Sequence, residues 1–173
     1  MHIALMASLA LLAGQVHAAT LAGHVVGITD GDTITVLDAS KTQYAVRLHA
    51  MDAPERNQPF GARSKQNLSG LVFGKDVTVE WRKKNHERLV GKVLVDETGA
   101  DCAFRSCLKS LDAGLQQIRD GLAWHAKQFE REQSPEDRAR YAAAEIKARD
   151  ARAGLWTDAE PVPPWEWRRG RRR

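Results

Sequence analysis

The chain has 173 residues, enough for one domain with a substantial core. Its 43% hydrophobic and 28% charged residues are ordinary for a folded globular protein and exclude a disordered or fibrous class. The formal charge is +4, but five arginines within the last six residues supply it and the remainder sums to −1. Composition by itself therefore points to no nucleic-acid or membrane partner.

Residues 3–14 form an apolar run of 12, followed by Val16-His17-Ala18 before Ala19. Small residues at the −3 and −1 positions fit signal-peptidase cleavage after Ala18, although His2 and the amino terminus are the only positive charges ahead of the run. The run is too short to span a bilayer, which takes about 20 residues. The expectation is an exported protein, periplasmic or secreted, with a signal peptide over 1–18 and no membrane span. A folded domain is expected over 19–160 and a tail rich in Trp and Arg over 161–173. The two cysteines, Cys102 and Cys107, lie in the mature chain. An even count in an exported protein suggests a disulfide closing a small loop, and a free or buried thiol pair is the alternative.

Along the mature chain, residues 21–29 and 33–37 are β-branched runs separated by Asp30-Gly31-Asp32, a turn between strands. Residues 44–48 alternate as a third strand, and 51–59, with two prolines, read as loop. A helix is predicted over 62–73, with Gly74 just past its end. Val77, Val79 and Trp81 alternate as a fourth strand, and 89–95 give a fifth. Leu111, Leu115, Ile118 and Leu122 share one face of a second helix. A third helix starts after Ser134, with Pro135 at its first position, and runs to about residue 154. The segment after 160 reads as an extended terminus. Five short strands followed by helices predict an α+β fold, a small β-barrel with helices packed on it.

Three clusters carry chemistry: Asp30-Gly31-Asp32-Thr33 in the turn, Arg47-Leu48-His49-Ala50-Met51-Asp52-Ala53-Pro54-Glu55 leaving the third strand, and Arg88 opening the fifth. Carboxylates on loops are hard oxygen ligands suited to Ca²⁺ or Mg²⁺. Arginine forks match phosphate oxygens at any working pH. A spare carboxylate such as Glu55 can take a proton from water. Singly, each is an ordinary turn, strand-end charge or solvated loop residue, and periodicity does not bring them together in space.

In that order, and with Gly121-Leu122-Ala123-Trp124, Gly154-Leu155-Trp156 and the terminal PVPPWEWR, these motifs resemble the staphylococcal nuclease family from about residue 21 to 168. The resemblance implies an OB-type five-stranded barrel with three helices. It implies that Asp32, Asp52 and the carbonyl of Ala53 hold Ca²⁺, that Glu55 is the general base, and that Arg47 and Arg88 bind and stabilise the phosphate. The implied function is a monomeric, calcium-dependent nuclease that hydrolyses DNA and RNA, single strands preferred, to 3′-phosphates. A catalytically weak or inactive nucleic-acid-binding module is the alternative. The chain departs from the family in Lys84-Asn85-His86-Glu87-Arg88, where Asp-x-Tyr-Gly-Arg is common. His125 reads as a surface or interface histidine, Trp124 and Trp156 as core residues on helix faces, and Trp165 and Trp167 as packing the tail onto the barrel.

Overall fold

The computed structural model describes residues 19–85, 88–96 and 110–170. The leader, His86, Glu87 and the cysteine segment lie outside the described residues. Eight strands are described: β1 (Ala19–Ile28), β2 (Thr33–Leu37), β3 (Gln43–Leu48), β4 (Met51–Asp52), β5 (Asp76–Asn85), β6 (Arg88–Asp96), β7 (Ser110–Asp112) and β8 (Trp124–His125). The helices are α1 (Gly61–Val72), α2 (Ala113–Arg119), α3 (Pro135–Asp150) and α4 (Pro164–Gly170), with 3-10 turns at Lys127–Glu132 and Gly154–Thr157.

Strands run in the order β3-β2-β1-β5-β6-β7, and a parallel pairing of β3 with β6 closes the first five into a barrel. Closure leaves those five strands without a free long edge. Register shifts at Val25/Gly27 in β1 and Trp81/Lys83 in β5 mark irregular points where a strand can bend around so small a barrel. Alternation sends Val25, Ile34, Val36, Val46, Leu48, Val77, Val79, Val93 and Val95 to the interior. Leu68 and Val72 of α1, with Leu115 and Ile118 of α2, join the same core. Burying each such side chain is worth about 1.5–3 kcal/mol relative to exposure.

Three elements differ from the sequence expectation. Leu111 lies in β7, paired with Val95, and Asp112 caps α2 by accepting from the Leu115 amide at 3.1 Å, so the helix begins later than its apolar spacing suggests. The chain turns back after α2, with the Leu122 amide bonded to the Gln117 carbonyl at 2.9 Å. Residues 51–52, expected as loop, pair with Trp124–His125, so Trp124 stands on a strand rather than a helix face. The expected extended terminus instead contains α4, which brings the number of α-helices to four among the described residues. The third predicted helix is found as α3, capped by the Ser134 hydroxyl, which accepts from the Asp137 amide at 3.1 Å.

Candidate active site at the mouth of the barrel

The turn between β1 and β2 is held by its own carboxylates. The Asp32 amide donates to Asp30 Oδ1 at 3.0 Å, and the Thr33 hydroxyl donates to Asp32 Oδ1 at 2.7 Å. Beneath it, the fully buried Gln117 of α2 donates from Nε2 to the carbonyls of Gly31 (2.8 Å) and Ser64 (3.1 Å). Gly31 packs so closely that an added Cβ would lie 2.1 Å from Ser64 Oγ and 2.7 Å from the Ala53 Cβ. The turn is therefore wedged against α1 and against the segment that follows β4, which fixes where Asp32 points.

The second wall comes from β3 and β4. Thr33 pairs with Arg47, and the Leu48 amide donates to the Asp32 carbonyl at 2.8 Å, so the start of β2 and the end of β3 lie side by side. Ala50 then turns the chain with φ 60°, in the left-handed region that non-glycine residues seldom adopt. Its carbonyl is held by the Ala126 amide at 3.0 Å, and β4 returns Asp52 toward Asp32. Arg47 Nη2 lies 3.0 Å from Asp32 Oδ2 and 3.0 Å from Asp52 Oδ1, so one nitrogen bridges both carboxylates. Glu55 follows on a loop that folds against Gly61, where an added Cβ would meet the Glu55 carbonyl at 2.0 Å.

Asp32, Arg47, Asp52 and Glu55 are thus gathered at one mouth, and buried Ala53 lies between the two acidic segments. Arg88 makes no direct contact with them in the described structure. It is exposed, opposite Ala45 in the parallel pairing while Arg47 is opposite Val90, and this register places Arg88 on the face of Arg47. Sequence reasoning missed the supporting residues Gln117, Ser64 and Gln58. The Gln116-Gln117 pair between the apolar Leu115 and Ile118 was the available signal for the first. It also missed Arg168 of α4, whose Nη1 and Nη2 donate to Asp52 and Glu55 at 2.7–3.2 Å. His125, read from sequence as a surface or interface histidine, is buried, with Nε2 2.8 Å from Gln133 Oε1.

Asp32 is nearly inaccessible, and burial pushes its carboxyl up from 3.8 to about 7 against the pull of the Arg47 guanidinium. Asp30 and Asp52 add to the rise by repulsion. Asp32 is therefore short of positive charge, which a hard cation would supply. Among the described residues no three His, Cys, Asp or Glu side chains form a ready-made metal cluster. A site here would rest on Asp32 and Asp52, completed by a backbone carbonyl and water, a donor set that suits Ca²⁺ and fits poorly with zinc.

The model for the family described as staphylococcal nuclease homologue matches residues 45–158. The chain belongs to the staphylococcal nuclease family. It is 38% identical over 152 residues to protein ParB of Escherichia coli, covering 87% of this chain and 81% of that protein. It is 36% identical over 150 residues to a micrococcal nuclease of Shigella flexneri, covering 85% and 80%. An uncharacterized endonuclease of Escherichia coli O157:H7 is 33% identical over 151 residues, covering 87% and 86%. The five-stranded barrel with flanking helices is the α+β, OB-type fold expected of the family.

Proposed function

We propose that the chain is an exported, calcium-dependent nuclease that hydrolyses DNA and RNA to 3′-phosphate products. That it is a hydrolase of the nuclease class follows from its family. The observation that carries the finer reading is the convergence of buried Asp32 and Asp52 on one nitrogen of Arg47, with Glu55 beside them and Asp32 short of positive charge.

Asp32, Asp52 and the Ala53 carbonyl would hold Ca²⁺, which when bound would offset negative charge on the phosphoryl oxygens. Arg47 and Arg88 orient the phosphate by their forks. Glu55, half-exposed, faces solvent and accepts the proton of the attacking water as the new P–O bond forms. The bond to the 5′-oxygen breaks, and that oxygen takes a proton from solvent. Because water is the nucleophile, the 2′-hydroxyl is not needed, and both nucleic acids are substrates. A single strand can bend a phosphodiester down to carboxylates this deeply set, which supports a preference for unpaired substrate. Export rests on the apolar run 3–14 and the Val16-His17-Ala18 site.

The test is incubation of the mature protein with single-stranded DNA and RNA in Ca²⁺ or in excess EGTA, followed by end-group analysis. Cleavage that needs Ca²⁺ and leaves 3′-phosphates is expected. Undiminished cleavage in EGTA, or 5′-phosphate ends, would contradict the reading.

A further inference from the structure

The C-terminal segment is stitched onto the site at three places. Trp165 of α4 meets Trp124 edge to face at 6.5 Å, and Trp124 meets Trp156 at 5.4 Å, so the helix is anchored on an aromatic cluster directly beside β4. Gln58 joins the tail to the base-bearing loop, since its Nε2 donates to the Val162 carbonyl and its Oε1 accepts from the Glu55 amide at 3.0 Å. Arg168 then reaches inward. Its Nη2 donates to Asp52 Oδ2 at 2.7 Å, and its Nη1 donates to Glu55 Oε1 at 2.7 Å and Asp52 Oδ1 at 3.2 Å.

We propose that Arg168 is a positioning residue of the site: by forking across Asp52 and Glu55 it fixes the Glu55 carboxylate for its work on water. The inference rests on the nuclease reading and adds a residue that β3, the β1–β2 turn and β6 do not supply. Three points favour a standing part of the site over a loose cationic tail. The anchor is built from large, mostly buried rings, whose packing outweighs a surface ion pair. Asp52 has 3% of its side chain exposed, so Arg168 supplies part of the compensation for a carboxylate removed from water. Glu55 sits on a loop with 37% of its side chain exposed, and the Arg168 contact is the side-chain hydrogen bond that gives it one direction among the described residues. A guanidinium carries five N–H donors, and these contacts leave Nε and a further N–H to meet solvent or a phosphate oxygen.

The test compares wild type, Arg168→Gln, Arg168→Lys and, as a control for tail charge, Arg169→Gln at an exposed neighbour. Each is read by kcat and KM on single-stranded DNA and by Ca²⁺ titration calorimetry without substrate. Tryptophan fluorescence verifies that α4 remains docked. Arg168→Gln is expected to lose about 10²-fold in kcat, the scale for a displaced catalytic group, with KM changed far less. Its calcium affinity should rise severalfold, because a cation no longer opposes metal at Asp52. Arg168→Lys should return calcium affinity toward wild type and restore kcat only in part, and Arg169→Gln should match wild type.

Higher activity of Arg168→Gln at low calcium, with kcat intact, would overturn the proposal and make the tail a competitor of the metal. A change in KM alone would also overturn it, by making Arg168 a substrate handle. If wild type cleaves nothing, the nuclease reading fails. The calorimetry would still decide the Arg168 contact, which an unchanged calcium affinity in Arg168→Gln refutes.

Discussion

Asp32 couples the chemistry of the site to the stability of the molecule. Its carboxyl titrates near 3.8 in the unfolded chain and about 7 in the fold, chiefly because it is buried. The folded protein therefore holds a proton there that the unfolded chain has released. This contribution favours folding at low pH and is lost as pH rises through about 7. In the absence of metal, wild type should lose stability between pH 4 and 7.5 relative to Asp32→Asn. At pH 7.5 the variant should be the more stable by on the order of 2–4 kcal/mol, measured by urea denaturation in EGTA. Calcium should then stabilise wild type and leave Asp32→Asn nearly unmoved. Equal midpoints at pH 7.5 in EGTA would mean that Asp32 carries no such strain. The same residue marks how far the sequence reaches: the Asp30-Gly31-Asp32 motif names the carboxylate, but it does not show the burial, nor the seating of the turn at Gly31 against Gln117 and Ser64.

At the scale of elements, the placement of the site depends on how the helices are fixed to the barrel. Asp112 ends β7, caps α2, and accepts the Tyr141 hydroxyl of α3 at 3.0 Å at both carboxylate oxygens. Lys92 of β6 lies 3.8 Å from it and bonds Asp137 of α3 at 3.0 Å. Replacing Asp112 with Ala removes a cap and leaves a buried hydroxyl without its acceptor, so it should cost about 2–4 kcal/mol in urea unfolding. Calcium affinity should stay within about twofold of wild type, since the carboxylate cradle is untouched; an unchanged unfolding midpoint would contradict this account of the junction. The barrel strands were readable because Val, Ile and Leu alternate strongly in them. β4 and β8 were not, because a two-residue strand has no period and is defined by its partner across 70 residues of chain. Apolar spacing puts Leu111 in the helix because it cannot register that an adjacent strand, β6, pairs with it. The helix α4 was hidden by the prolines at 161, 163 and 164, ahead of and at its start, and by a short, arginine-rich end that looks solvated in isolation.

Taken whole, the molecule is a closed barrel whose open mouth is lined by two turns and covered on one flank by the C-terminal helix. The acidic segments and Arg47 could be named from sequence through the order of the motifs, but their convergence required the β2–β3 ladder and the pairing of β4 with β8. In the proposed function this convergence divides the labour, with metal held by Asp32 and Asp52 and proton transfer assigned to Glu55. The most direct measurement is the single substitution Glu55→Gln, assayed for kcat on single-stranded DNA at saturating calcium and for calcium affinity by calorimetry. The side chain keeps its size and can still accept a hydrogen bond from Arg168, yet it cannot take the proton. A fall in kcat of roughly 10²–10⁴-fold is expected, with calcium affinity little changed. A variant that cleaves at the wild-type rate, or one that loses activity only because it no longer binds calcium, would contradict it.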